Sequence, residues 1–324
     1  MKEKSLVLGV DLGATKLKTA LVDDEGRVVF SHRHPTHPGK DPEVIIAEIV
    51  TRVQDCLTKT SKGASALGIG VAGQVDRATG IVRFAPNLGW QDVPLRVELE
   101  KRLGLPVVVT NDVRAATWGE WLYGIGKGMD NLVCLFVGTG IGGGVVSGGQ
   151  MLEGYSNTAG ELGHMTIVVG GRPCRCPNRG CLEAYAGGWA ISERAQELVR
   201  EDPILDQTLV HLAGSIEAIT ASTIAQAYEE GCPLASRLVR ETGEYLGAGV
   251  VSCVNAFNPE MVILGGGVIE RIPVVISIVE EVVRGCALKA ATGSLRIVKG
   301  ILGEDAGVIG AAGLARKSKE LGTS

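Results

Sequence analysis

Three thiols and one imidazole fall close together in this chain. Cys174-x-Cys176-x4-Cys181 follows His164, which lies ten residues before the first cysteine. That is the Cys3His donor set of a closed, tetrahedral structural zinc site. A disulfide explains it poorly, because three cysteines leave one over and a Cys-x-Cys bridge is strained. No base is evident beside any of the thiols, as a catalytic nucleophile would need. Three thiolates on Zn2+ leave a net negative charge that Arg172, Arg175 and Arg179 are placed to offset. Such an ion does no chemistry itself. It fixes a loop carrying Glu183 and, through His164, the segment carrying Glu161. His32, His34 and His37, beside Pro35 and Pro38, read instead as an exposed loop, and His211 has no visible partner.

Glycine-containing turns form the second set. Asp11-Leu12-Gly13-Ala14-Thr15-Lys16 puts a carboxylate, a turn, a hydroxyl and an ammonium within six residues. Backbone N–H groups of such a turn can form an anion nest, Gly13 permits close approach, and Asp11 could hold Mg2+ directly or through water. A plain hairpin with incidental polar residues would read the same way. Gly138-Thr139-Gly140-Ile141-Gly142-Gly143 contains GxGxxG, but Val145-Val146 follows where a dinucleotide site requires a helix. A second phosphate turn, assisted by the Thr139 hydroxyl, fits better. Gly265-Gly266-Gly267 ends an apolar strand and suits close contact with a base and ribose. Together the three segments predict a nucleotide site, although no Walker A sequence is present.

Asn111-Asp112 follows the apolar run Val107–Val109, so Asp112 is a strand-end carboxylate suited to general-base work. An Asp at this point could equally cap the helical stretch Ala115–Tyr123. Asn87, Asn111, Glu161, His164 and Glu183 are candidates for holding sugar hydroxyls.

The elements that must position these groups repeat. Ser5–Val10 and Leu17–Val22 flank the first turn, and Val133–Val137 and Val145–Ser147 flank a second turn over Gly138–Gly144. Aligning Val10-Asp11-Leu12-Gly13 with Val137-Gly138-Thr139-Gly140 makes an internal duplication the natural reading. Helices are predicted from Pro42 (N-cap Asp41), over Pro94–Leu103, Gly187–Arg200, Thr220–Glu230 and Pro233–Asn255. The expected fold is α/β: two duplicated lobes with a cleft between them, where ligands of open sheets gather. Residues 1–112 form the first lobe, completed by a closing helix within 305–324, and 113–304 the larger second lobe, with the zinc loop at 164–183.

Composition narrows the classes. The 324 residues are 45% hydrophobic and 21% charged, as in ordinary globular proteins, with 46 glycines concentrated in short runs. A net charge of −4 gives no electrostatic case for nucleic acid. No apolar stretch is long enough for a membrane span and no signal segment is seen, so a cytoplasmic protein is expected. Cys56, Cys134, Cys232, Cys253 and Cys286 sit alone and read as small core residues.

Taken together, Asp11–Lys16, Asn111-Asp112, Gly138–Gly144, Glu153-Gly154 with Ala159–His164, and Cys174–Glu183 resemble the ROK family of repressors, open reading frames and sugar kinases. The resemblance spans nearly the whole chain, and its last two motifs are very specific. Pro177 stands where the family often has glycine after the second cysteine, which alters the loop without removing a ligand. The resemblance implies an actin-like (ribonuclease H-like) fold and phosphoryl transfer from ATP with Mg2+ to a hexose. It makes Asp112 the base, places Asn87, Asn111, Glu161, His164 and Glu183 on the sugar, and gives His164 a second role at zinc. Pro86-Asn87-Leu88-Gly89-Trp90 looks like the glucokinases of the group. Mannose, fructose or an N-acetylhexosamine are alternative substrates. A sugar-responsive repressor is disfavoured, since the first turn at Asp11 leaves no room before it for a DNA-binding domain. A homo-oligomer, dimer or tetramer, is the expected assembly.

Overall fold

The computed structural model describes residues 5–36, 39, 41–61, 63–202 and 207–320. Along the chain the elements are β1 Val7–Leu12, β2 Lys16–Val22, β3 Val28–Pro35, α1 Pro42–Leu57, β4 Leu67–Val71, β5 Gln74–Val75, β6 Val82–Ala85, β7 Trp90–Val93, α2 Leu95–Leu103, β8 Val107–Asn111 and α3 Asp112–Leu122. They continue with β9 Leu132–Val137, β10 Ile141–Ser147, β11 Gln150–Met151, α4 Glu183–Ala186, α5 Gly188–Glu201, α6 Thr208–Ala213, α7 Ala221–Glu229 and α8 Pro233–Phe257. The last are β12 Met261–Gly265, α9 Gly267–Arg271, α10 Val274–Cys286, α11 Lys289–Thr292, β13 Arg296–Lys299 and α12 Ala306–Glu320.

Two units emerge, each with its own core. The first comprises the chain to Gly128, Glu153–Ala159 and the chain from Ile301; the second comprises Met129–Leu152 and Gly160–Gly300. The first unit's main sheet has the order β3-β2-β1-β4-β8, antiparallel among β1, β2 and β3 and parallel from β1 through β4 to β8. The second has β11-β10-β9-β12-β13 with the same alternation of sense. One five-stranded plan is therefore used twice, and the chain has the α/β actin-like ATPase fold. Strands β5, β6 and β7 add a small antiparallel sheet to the first unit.

Local chemistry accounts for the element ends. Asp41 accepts a hydrogen bond from the Glu43 N–H at 2.8 Å and Pro42 opens α1, whose Ile45, Ile49 and Val53 are buried on one face. In the first unit α12 lies against β1, β4 and α3 because glycines remove the side chains that would block it. A methyl group on Gly9 would overlap the Val308 carbonyl, one on Gly68 the Ala311 carbonyl, and one on Gly310 the Ala115 carbonyl. Such backbone approach is open only to glycine.

Several expectations need correction. The division of the chain falls at Gly128 and Ile301, not at residues 112 and 304, and the short segment Glu153–Ala159 joins the first unit. The cause is α3. Its Trp118 and Trp121 lie under the Lys317 ammonium of α12, and its buried Arg114 donates to the carbonyls of Asn157 at 3.0 Å and Ala159 at 3.1 Å. Gly142, Gly143 and Gly144 belong to β10, not to a turn; a side chain at Gly143 would collide with Leu162. His32 and His34 sit in β3, their rings stacked 4.1 Å apart, whereas His37 and Pro38 lie outside the described residues. Cys286 is exposed at the end of α10, unlike the other four solitary cysteines. Of the closing helix, residues 321–324 lie outside the described residues. Among the described residues no helix is long and apolar enough to cross a membrane.

Candidate functional site

In the first unit the parallel strands β1, β4 and β8 deliver the acidic groups. Asp11 is the fifth residue of β1 and lies beside Gly70 of β4. A Cβ on Gly70 would approach the Cα of Asp112 to 3.1 Å, so α3 starts directly over that strand. Asn111 caps α3: its Oδ1 accepts from the N–H groups of Val113 and Arg114, both at 3.0 Å, while its Nδ2 donates to the Gly73 carbonyl at 3.2 Å. The cap is thus supplied by Asn111, and Asp112 is not needed for it. Asn111 in turn has one amide hydrogen left to offer a ligand. Asn87 is exposed on the short 3-10 turn Pro86–Leu88.

Asp11 is half-buried as a residue. Surrounding protein nevertheless dominates: burial, and then the Asp112 charge, push its pKa up to about 7, against the pull of Lys18 and Arg33. These cations are in register with it, Asp11 opposite Lys18 and Lys18 opposite Arg33. Lys18 pairs with Asp305 at 2.5 Å and donates to the Glu304 carbonyl at 3.1 Å, and Arg33 pairs with the Glu304 carboxylate. A raised carboxyl pKa beside a second carboxylate marks this strand end as a candidate functional site. The turn that follows is closed by the Gly13 N–H on the Lys16 carbonyl at 2.9 Å, with Thr15 and Lys16 exposed.

In the second unit the Cys–His donors converge. One ligand atom each of His164, Cys174, Cys176 and Cys181 lies within 4.8 Å of the others. Cys174 Sγ is 3.7 Å from His164 Nδ1, and Cys176 Sγ is 3.6 Å from Cys181 Sγ. Zn–S bonds of about 2.3 Å place tetrahedral donors about 3.8 Å apart, so the four groups fit such an ion. Burial raises the Cys174 and Cys181 thiols, while hydrogen bonds from Asn178 N–H and the neighbouring thiols lower Cys176. Asn178 steadies the set, donating to Cys181 Sγ at 3.4 Å and Thr166 Oγ1 at 2.8 Å. Two of the arginines expected to offset the thiolate charge are engaged elsewhere. Arg172 makes a two-pronged pair with Glu197 at 2.6 and 2.9 Å, and Arg175 lies over the Trp189 ring.

The loop leads straight to Glu183. Its Oε2 accepts the Ile141 N–H at 2.8 Å and its Oε1 accepts the Trp189 indole N–H at 3.1 Å. Gly138-Thr139-Gly140 is held from the same side, Gly188 N–H donating to the Gly138 carbonyl at 3.0 Å and Trp189 N–H to the Thr139 carbonyl at 2.9 Å. At the end of β12, Gly266 packs on the Val137 backbone, which brings the Gly265–Gly267 segment to this turn. Glu161 is exposed, and the His164 N–H donates to its carbonyl at 3.0 Å. The structure thus gathers the cysteines, His164, Glu161, Glu183 and two glycine segments in one unit, and Asp11, Asn87, Asn111 and Asp112 in the other. Sequence reading missed Arg114, Asn157, Lys18 and Trp189. Only Arg114 carried a signal, as a lone charge in the apolar run Val113–Trp118.

Comparison with known proteins places all the matches in one family. The model of the ROK family matches residues 7–318. Over 317 residues the chain is 37% identical to a glucokinase of Streptomyces coelicolor, covering 96% of this chain and 98% of that protein. It is also 34% identical over 267 residues to a xylose repressor of Caldicellulosiruptor bescii, covering 82% of this chain and 66% of that protein. The crystal structure of a ROK family glucokinase from Streptomyces griseus, in complex with glucose and AMPPNP, aligns with a TM-score of 0.86 at 36% identity, over 97% of this chain and 100% of that one.

Proposed function

This chain belongs to the ROK family, and we propose that it is an ATP-dependent glucokinase, transferring the γ-phosphoryl group of ATP to the 6-hydroxyl of glucose. The observation that carries the reading is the match to glucokinases at 36–37% identity over nearly the full length of both partners. The site geometry supports it. Asp112 has the role of base and accepts the 6-hydroxyl proton as the phosphoryl group moves in line. A carboxylate is a weak base toward an alcohol, so the proton moves late, and catalysis rests on positioning and charge stabilisation. Asn87, Asn111, Glu161, His164 and Glu183 take the sugar hydroxyls.

The turns Asp11–Lys16 and Gly138–Gly140 take the phosphates, and Gly265–Gly267 the base and ribose. Mg2+ held at Asp11 would neutralise phosphate charge. Zn2+ on His164, Cys174, Cys176 and Cys181 would supply no reaction chemistry, only a rigid anchor for Glu183 and His164.

A coupled ADP-release assay across glucose, mannose, fructose and N-acetylhexosamines tests the reading. Glucose is expected to show the highest kcat/KM. Asp112→Asn should lower turnover by about a thousandfold or more, within the range for loss of a general base, with glucose affinity nearly unchanged. Full turnover in that variant removes Asp112 from the mechanism. Sugar binding with no hexose-dependent ADP release would favour a sensor, as in the matched xylose repressor.

A further inference from the structure

Glu183, one of the proposed sugar-binding groups, also bonds the glycine turn of the second unit. Ile141 N–H, at the last bond of that turn, points at Oε2, and a methyl group on Gly140 would overlap the same oxygen. The other oxygen is held by Trp189 through its indole N–H at 3.1 Å. The main chain of Trp189 is fixed independently, donating to the Thr139 carbonyl at 2.9 Å at the tip of the same turn. On the ring, the Arg175 guanidinium stands 4.5 Å from the centroid. Arg175 lies between two of the thiol donors, Cys174 and Cys176, and also faces Glu193 at 3.7 Å.

We propose that Trp189 is a positioning residue for phosphoryl transfer, locking Glu183 against the Gly138–Ile141 turn and seating the Cys–His loop on its outer face through Arg175. The inference deepens the kinase reading and rests on it. A carboxylate has about four lone-pair positions, and two are committed here to N–H donors on fixed backbone and ring. The remaining ones are thereby aimed, and a hydroxyl bound there meets a group that also tenses the phosphate turn. Hydrogen bonds to charged acceptors are the strong class, so losing the indole donor frees Glu183 without disturbing the turn's own backbone bonds. Trp189 touches neither hexose nor nucleotide in this account and acts only through Glu183 and the turn.

Trp189→Phe keeps an aromatic face for Arg175 and the main-chain bond, and removes the indole donor together with the ring that carries it. Its KM values for both glucose and ATP should rise about three- to tenfold, with kcat changed less than about twofold, since one charge-assisted hydrogen bond is lost. A double-mutant cycle with Glu183→Ala, which leaves the indole no acceptor there, separates positioning from general weakening: Trp189→Phe should add little once Glu183 is altered. Unchanged KM values, or effects that simply add, overturn the proposal. Should Trp189→Phe fail to fold, Arg175→Met decides, with the same pair of KM values expected to rise about twofold, and no change overturning it. AMPPNP affinity by calorimetry gives a readout that needs no turnover. If the wild-type chain phosphorylates no hexose, the kinase reading fails while a Trp189→Phe loss of AMPPNP affinity still supports the positioning role; equal affinity overturns it.

Discussion

Asp11 shows how an isolated strand residue becomes informative once its neighbours are known. Its type and place before a glycine turn were legible in the sequence, and so was Asp112 at a strand end. What could not be read was that β4 offers only Gly70 between them, which lets α3 start close enough for one carboxylate to raise the other. The sequence suggested Asp112 as the alternative cap of α3, and the bonds of Asn111 Oδ1 give that role to Asn111 instead. The raised pKa has a consequence for stability. Above its ordinary value of 3.8, Asp11 in the fold holds its proton up to about pH 7. The folded chain therefore binds more protons than the unfolded one between those limits, and stability falls as pH rises through 7. Asp11→Asn cannot suffer that loss. Without nucleotide or divalent metal, its melting temperature should exceed that of the wild type by more at pH 8 than at pH 5. A constant difference between the two pH values would mean that Asp11 is not buried as a charge-averse group.

At the scale of elements, apolar runs predicted most helices and strands, because a buried strand or an amphipathic helix leaves a period in the sequence. Glycine misled the reading, since one residue type serves both turns and close packing. Gly142–Gly144 look like turn residues and are strand, whereas the glycines of α12 look like helix weaknesses and are contact points. Helix propensity alone favours alanine over glycine by about 1 kcal/mol. At Gly310 the added methyl would overlap the Ala115 carbonyl, a backbone atom that cannot rotate aside. Overpacking of that kind costs about 3 kcal/mol, so Gly310→Ala should be net destabilising by about 2 kcal/mol. Gly285 supplies the contrast: it is exposed on α10 and a methyl there meets nothing within 4 Å. Gly285→Ala should stabilise by about 0.5–1 kcal/mol. Urea denaturation of both variants checks the pair, and equal signs would refute the packing account.

For the molecule as a whole, the duplicated strand order was foreshadowed by two similar strand–glycine–strand stretches, since a repeated local pattern survives in sequence. The division of the chain was not, because it depends on bonds between distant residues, such as Arg114 to the Asn157 and Ala159 carbonyls. Those bonds join a seven-residue segment to the first unit, a connection with no periodicity to betray it. The separate cores make a whole-chain prediction about zinc. Its proposed donors, His164, Cys174, Cys176 and Cys181, all belong to the second unit, and the loop they close is stitched to the Gly138–Ile141 turn through Glu183 and Trp189. Metal binding is folding free energy where the ligands converge only in the native chain. Removing the ion with a chelator should therefore speed hydrogen exchange over 160–190 and in the turn at 138–141. Strands β1 and β4, buried in the first unit's own core, should keep their protection. Metal analysis should find one zinc per chain before chelation and none after. Exchange that rises equally in β1 and β4 would mean that the ion supports the whole chain, and exchange that rises nowhere would mean that the Cys–His cluster holds its shape without a metal.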